Sequence, residues 1–151
     1  MQPLDHRYLG FQRFPDGLSG SELAHFFGLS EVDRSIILQH RGPLNRLGVA
    51  LQLGYLRLTG LPMSAIDMIA PDVLAYVGAE LGIAAPRLAS LRAMYRRRRT
   101  LFEHQTVAKE MFGLKPLFDH AERTLVSFLR RSAVEHFATK DLVRSARIWL
   151  S

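Results

Sequence analysis

The run PLNRLGVALQLGYLRLTG, residues 43–60, admits few structures. Leu44, Leu47, Leu51, Gly54 or Tyr55, and Leu58 recur at alternating steps of three and four, the period of one helix face. Val49, Ala50, Leu53 and Leu56 widen that face until only Asn45, Arg46, Gln52, Arg57 and Thr59 interrupt it. A helix apolar nearly all round must sit inside a core, with other elements on every side. Pro43 suits the first helical position, where its missing N–H costs nothing, and Gly60 is the usual left-handed terminator. The preceding LSEVDRSIILQHRG predicts a shorter helix from Glu31 to about His40, opened by a Ser30/Asp33 capping box. Gly42 then permits a sharp corner between the two helices.

The rest of the chain supplies the surrounding elements. Residues 1–18 carry Pro3, Gly10, Pro15 and Gly17 and read as an irregular lead-in, tacked to the body by Leu9, Phe11 and Phe14. Ser19 and Glu22 form a second capping box for a helix ending at Gly28, with Leu23, Phe26 and Phe27 inward. Pro71 opens a helix that stops at Gly82, and Pro86 begins a short one reaching about Tyr95. Thr100 and Glu103 read as a third capping box, for a helix ending at Gly113. Its inner face is Leu101, Val107, Ala108 and Met111, with His104 and Gln105 at the margin. After Lys115-Pro116 a long amphipathic helix runs to about Ala138, and Thr139 caps a last one. No alternating stretch is flanked by hairpin turns. The expected class is therefore all-α, a compact multi-helix domain with helix-turn-helix-like units. The expected division is a lead-in over 1–18, a first helical unit over 19–83 and a second, basic unit over 84–151. The last helix reaches Trp149-Leu150-Ser151 with its pattern still running, which reads as an element cut short and predicts a partly exposed Trp149.

Charge points to a partner. The net charge of +6 is unevenly placed: residues 1–83 hold six Lys/Arg against eight Asp/Glu, whereas 84–131 hold eleven against four. A basic excess confined to one segment is the usual form of an electrostatic footprint for a polyanion. Other chemistries find little support. The chain has no cysteine, and its six histidines never fall in His-Glu-x-x-His or His-x-His spacing, so neither disulfide nor zinc is expected. Signatures of P-loops, dinucleotide folds and nucleophile elbows are missing. Asp67, Asp72 and Glu80 read as solvated or helix-terminal charges rather than acid/base groups. Nothing calls for a cofactor. There is neither an apolar signal core nor a run long enough to span a membrane, and a cytoplasmic protein is expected.

The densest point is Arg96-Arg97-Arg98-Arg99, with Arg92, Lys109, Lys115, Arg123, Arg130 and Arg131 adding to the same excess. Arginine forks suit phosphate oxygens. The Gly42 corner, with Arg41, Asn45 and Arg46 around it, has the parts of a helix-turn-helix. Asn45, Arg46, His104 and Gln105 are the residues expected to read bases.

Two stretches carry a resemblance. LSEVDRSIILQHRGPLNRLGVALQLGYLRLTG, followed by PDVLAYVGAELGI, resembles the opening region of replicative transposases of the Tn-three type, with its "L-S-E-x-D … R-R-G-x-x-N-R-L-G" rhythm. YRRRRTLFEHQTVAKEMFGLKPL is similar to their "Y-x-R-R-x-T-R-x-E-H … G-Y-x-P-F" stretch. The match runs from about Leu18 to the C-terminus and departs from the pattern at His40 and Leu101, where basic residues are common. The resemblance implies two helical DNA-binding units that recognise transposon terminal inverted repeats. By position, it implicates Arg41, Asn45 and Arg46 in the first stretch, and Tyr95, Arg97, Arg98, Thr100, Glu103 and His104 in the second. The family's acidic catalytic triad belongs to a larger C-terminal part. The expectation is thus a non-catalytic piece of a bacterial, nucleoid-associated transposase that binds double-stranded DNA. The alternatives are a helical protein-interaction module with an acidic partner, or a standalone regulator of transposition.

Overall fold

Ser19 and Ser30 each accept a hydrogen bond from the backbone three residues on, and Glu22 and Asp33 reach back to the cap N–H in turn. These capping boxes start α1 (Gly20–Phe27) and α2 (Glu31–Ile37). The remaining helices are α3 (Pro43–Thr59), α4 (Pro71–Glu80), α5 (Leu88–Tyr95), α6 (Arg98–Phe112), α7 (Asp119–Glu135) and α8 (Thr139–Leu150). The computed structural model describes residues 17–64, 69–114, 119–135 and 139–150, and no strand occurs among them. The expected contacts of Leu9, Phe11 and Phe14, the helix end at Ala138 and the position of Lys115 lie outside the described residues. No described helix is long and apolar enough to cross a membrane.

The central stretch behaves as its pattern demands. Leu47, Val49, Leu51, Leu53, Leu56 and Leu58 of α3 are all fully buried, each contributing roughly 1.5–3 kcal/mol by leaving water. Phe26 and Phe27 of α1, Ile37 of α2, Val73 and Val77 of α4, and Leu91 of α5 close around them. The most extensive helix pairing is α3 with α6, so residues from 19–83 and from 84–151 share one core. Helices α7 and α8 pack on each other, with Phe128 and Trp149 stacked at 5.5 Å. Trp149 remains 40% exposed.

The polar interruptions of α3 are tie points. Gln52 is fully buried; its amide donates to the Met63 carbonyl at 2.8 Å and accepts from the Met63 N–H at 2.9 Å. It thereby folds the segment after α3 back along the helix. Thr59 donates to the Tyr55 carbonyl at 2.9 Å. Arg57 reaches Asp33, the capping residue of α2, at 2.8 Å and the Gly28 carbonyl at 3.1 Å. Burial pushes the Asp33 carboxyl up, but hydrogen bonds from Arg57 and Ser30 and the Arg57 charge outweigh it, leaving the pKa below the ordinary value. Glu80 accepts from Leu29 N–H at 3.1 Å and from Arg34 at 2.9 Å, so it fastens α4 to α2 instead of standing on a solvated face. Among the described residues no buried side-chain nitrogen or oxygen lacks a partner.

Three local expectations change. Helix α5 starts at Leu88, after an extended Arg87, and Pro86 lies before it. Helix α2 ends at Ile37, and Leu38 to His40 form tight hydrogen-bonded turns before Gly42 at φ +84°, ψ 152°. Helix α6 starts at Arg98, so Thr100 lies inside its first turn and caps nothing. Arginine is a good helix former, and the run therefore divides: Arg96 and Arg97 make the turn, while Arg98 and Arg99 begin the helix. Glu103 pairs with Arg99 at 2.8 Å instead of closing a capping box.

Candidate nucleic-acid interface

The α5–α6 junction presents a charged surface over a neutral, buried support. Arg96, Arg97, Arg98 and Arg99 are all exposed. Directly behind them, Tyr95 and His104 are 7% and 3% exposed, and the tyrosine hydroxyl shares a 2.8 Å hydrogen bond with Nδ1 of His104. The two rings stand edge to face at 5.4 Å. Tyr95 ends α5 and His104 lies in the second turn of α6, so this bond closes the loop that carries the arginines.

The support is anchored to α3 at Gly48. A Cβ there would fall 2.6 Å from the Tyr95 hydroxyl and 2.8 Å from His104 Nδ1, so only glycine lets the helix approach the pair this closely. One turn on, Gln52 is bonded to Met63. Gln105 donates to the same Met63 carbonyl at 3.0 Å. Burial pushes the Tyr95 hydroxyl well above its ordinary pKa, and the polar influence of the Gln52 amide offsets only part of that rise. Burial, joined by the nearby His40, drives His104 down to about 4 against the opposing pull of Glu103. Both groups are thus uncharged at neutral pH.

The two sequence motifs meet here. The His40 ring lies 5.9 Å from that of His104, which brings the corner before α3 alongside the start of α6. Around that corner Arg41 is exposed. Asn45 is half-buried and donates to the Arg41 carbonyl at 2.8 Å. Arg46 donates to the carbonyls of His40 at 2.9 Å and Leu38 at 3.2 Å, closing the turns that follow α2. Arg92 is exposed, whereas Thr100 and Lys109 are half-buried. Tyr95, His104 and Gln105 therefore belong to the support, and Arg46 spends its guanidinium on the corner.

Sequence reasoning passed over two kinds of residue. Gly48 and Gln52 gave no signal because a glycine or amide inside an apolar run looks neutral until its neighbours are known. Phe102, 67% exposed beside the arginines, was legible in principle. Its helical neighbours Arg98, Arg99 and Thr106 are all polar, which no core position would show.

The chain matches the Domain of unknown function family DUF4158 over residues 5–151. It is 41% identical over 150 residues to the transposase for insertion sequence element IS1071 in transposon Tn5271 of Comamonas testosteroni, covering 99% of this chain and 15% of that protein. It is 39% identical over 92 residues to the transposase for transposon gamma-delta of Escherichia coli strain K12, covering 61% of this chain and 9% of the relative. With the transposase for transposon Tn21 of Escherichia coli the identity is 31% over 117 residues, 78% of this chain and 12% of the relative. No solved structure matches it. The chain spans about 15% or less of the length of these relatives and matches their N-terminal part. It belongs to the DUF4158 family and is homologous to the N-terminal part of Tn-three-family transposases.

Proposed function

We propose that this chain is the DNA-binding domain of a transposase, that it recognises the terminal inverted repeats of its element at the bacterial nucleoid, and that it performs no catalysis itself. The observation that carries the reading is the exposed Arg96–Arg99 run, set at the α5–α6 junction that the Tyr95–His104 bond closes. Homology to transposases makes duplex DNA the polyanion of choice. Arg96, Arg97 and Arg98, with Arg92, Lys109 and Lys115, neutralise phosphates. Arg99 does so after releasing Glu103. Arg41 and Asn45, at the helix-turn-helix-like α2–α3 corner, contact a neighbouring stretch of the duplex. Tyr95, His104, Gln105 and Arg46 act from behind by holding these groups in place.

The test is a pair of titrations, one with a duplex carrying the IS1071 terminal repeat and one with a scrambled duplex, each at several salt concentrations. Each phosphate neutralised contributes about 0.9 to the slope of log K against log salt. Replacing Arg97 and Arg98 with Ala should weaken binding to both duplexes and flatten the slope by up to about 2 units. A double variant that binds as the parent does would make the run a solvated loop. A protein-contact role would then lead, because α7 and α8 leave Val126, Val143, Ile148 and Trp149 exposed.

A further inference from the structure

Phe102 occupies an unusual place. It lies in the first turns of α6, is 67% exposed and takes no part in the hydrophobic core. One turn before it stand Arg98 and Arg99, both exposed, and one turn after it is Thr106, whose hydroxyl is turned back onto the Phe102 carbonyl at 2.9 Å. The carboxylate beside it, Glu103, is held by Arg99 at 2.8 Å and so presents little net charge outward. A phenyl ring left in water forgoes the stabilisation that its burial would bring. Isolated exposed apolar side chains are common and need no explanation by themselves. This one is set among guanidinium groups, and that restricts what could cover it. An apolar protein surface would have to desolvate the arginines to reach the ring and would leave their charges unpaired. A nucleic acid offers phosphates to the arginines and apolar base groups to the ring together.

The geometry favours one such group. Phe102 projects from a regular 15-residue helix, and a helix reaches base edges in duplex DNA through the major groove. The apolar feature displayed there is the thymine methyl. Resting on the DNA-binding reading above, we infer that α6 enters the major groove by its arginine-bearing turns and that Phe102 packs against a thymine methyl. Phe102 is then a specificity-determining residue: the arginines supply affinity for any duplex, and the ring selects among sequences.

The experiment uses the full 151-residue chain and the best duplex it recovers from a randomised pool, with each thymine replaced in turn by uracil, which removes only the methyl. At one or two positions the parent should bind the uracil duplex about fourfold more weakly, the equivalent of one buried methylene, with the salt slope unchanged. Phe102→Ala should melt as the parent does and bind thymine and uracil duplexes equally well. Iodouracil at the sensitive position should photo-crosslink to the peptide containing Phe102. Tight binding indifferent to every uracil, or a Phe102→Ala variant that keeps the parent's discrimination, overturns the assignment and leaves the DNA-binding reading standing. Failure to bind any duplex even at low salt removes both.

Discussion

Replacing Gly48 with Ala separates two effects of opposite sign. In the interior of a helix Ala is favoured over Gly by about 1 kcal/mol, so propensity alone predicts a more stable protein. Packing opposes it. The new methyl would lie 2.6 Å from the Tyr95 hydroxyl, 2.8 Å from His104 Nδ1 and 3.0 Å from the Met94 methyl. Met94 is flexible and can yield. The other two are bonded to each other, so neither moves alone without breaking a buried hydrogen bond. Leaving such groups unsatisfied costs about 1–3 kcal/mol, and overpacking adds about 1–3 kcal/mol. The net expectation is a destabilisation of about 1–5 kcal/mol, or a melting temperature several degrees lower for a domain of this size. Urea and thermal melts at neutral pH measure it. A variant as stable as the parent, or more so, would show that the α5–α6 junction slides away from α3 freely, and the junction would then not be pinned as argued.

Two further outcomes follow from the same structure. The pKa of His104 is about 4 in the folded chain against 6.5 ordinarily, so the unfolded chain takes up the proton first. Its contribution is complete above pH 6.5 and is lost as the pH falls to 4, about 3 kcal/mol in all, with Asp33 adding a loss below 3.8; urea midpoints that stay constant from pH 7 to 4 would refute this. Gly42→Val should destabilise by about 1–3 kcal/mol through backbone strain alone, because φ is +84° while nothing lies within 4 Å of the added Cβ; an unchanged melting temperature would show that the corner relaxes without strain.

The fold was legible where a local rule dictated the outcome. The serine boxes of Ser19 and Ser30, Pro43 at the start of α3, and Gly60 and Gly113 in the left-handed conformation depend on a few adjacent residues, and all appear as read. The apolar face of α3 was equally plain, because its period repeats over 17 residues. Thr100 failed as a cap because the same letters fit a helix beginning two residues earlier, and the arginines' own helix propensity settled the competition. The site was less legible than the fold. His104 and Gln105 looked marginal on a helical wheel, yet His104 is buried and Gln105 bonds to Met63, 42 residues away. Burial at that depth is set by which helix lies opposite, and the approach of α3 at Gly48 is a tertiary fact that periodicity within α6 cannot encode.

The position of the Tyr95–His104 bond gives the second motif a physical meaning beyond a set of contacts. Four adjacent arginines repel one another, and in a slack loop their side chains would spread to minimise that repulsion. Binding would then have to order them, at about 0.5–1.5 kcal/mol for each immobilised side chain together with the backbone of the loop. Closing the loop with a bond between the residue before the run and a residue in the next helix removes the backbone part of that cost before any polyanion is met. The closing pair must itself be uncharged, since an imidazolium there would add a fifth positive charge in a dry site behind the other four. Burial against α3 meets this requirement by holding His104 near 4, so at neutral pH the support contributes rigidity and no repulsion. The proposed affinity of the arginines for DNA therefore depends on the α3–α5–α6 packing as much as on the arginines themselves.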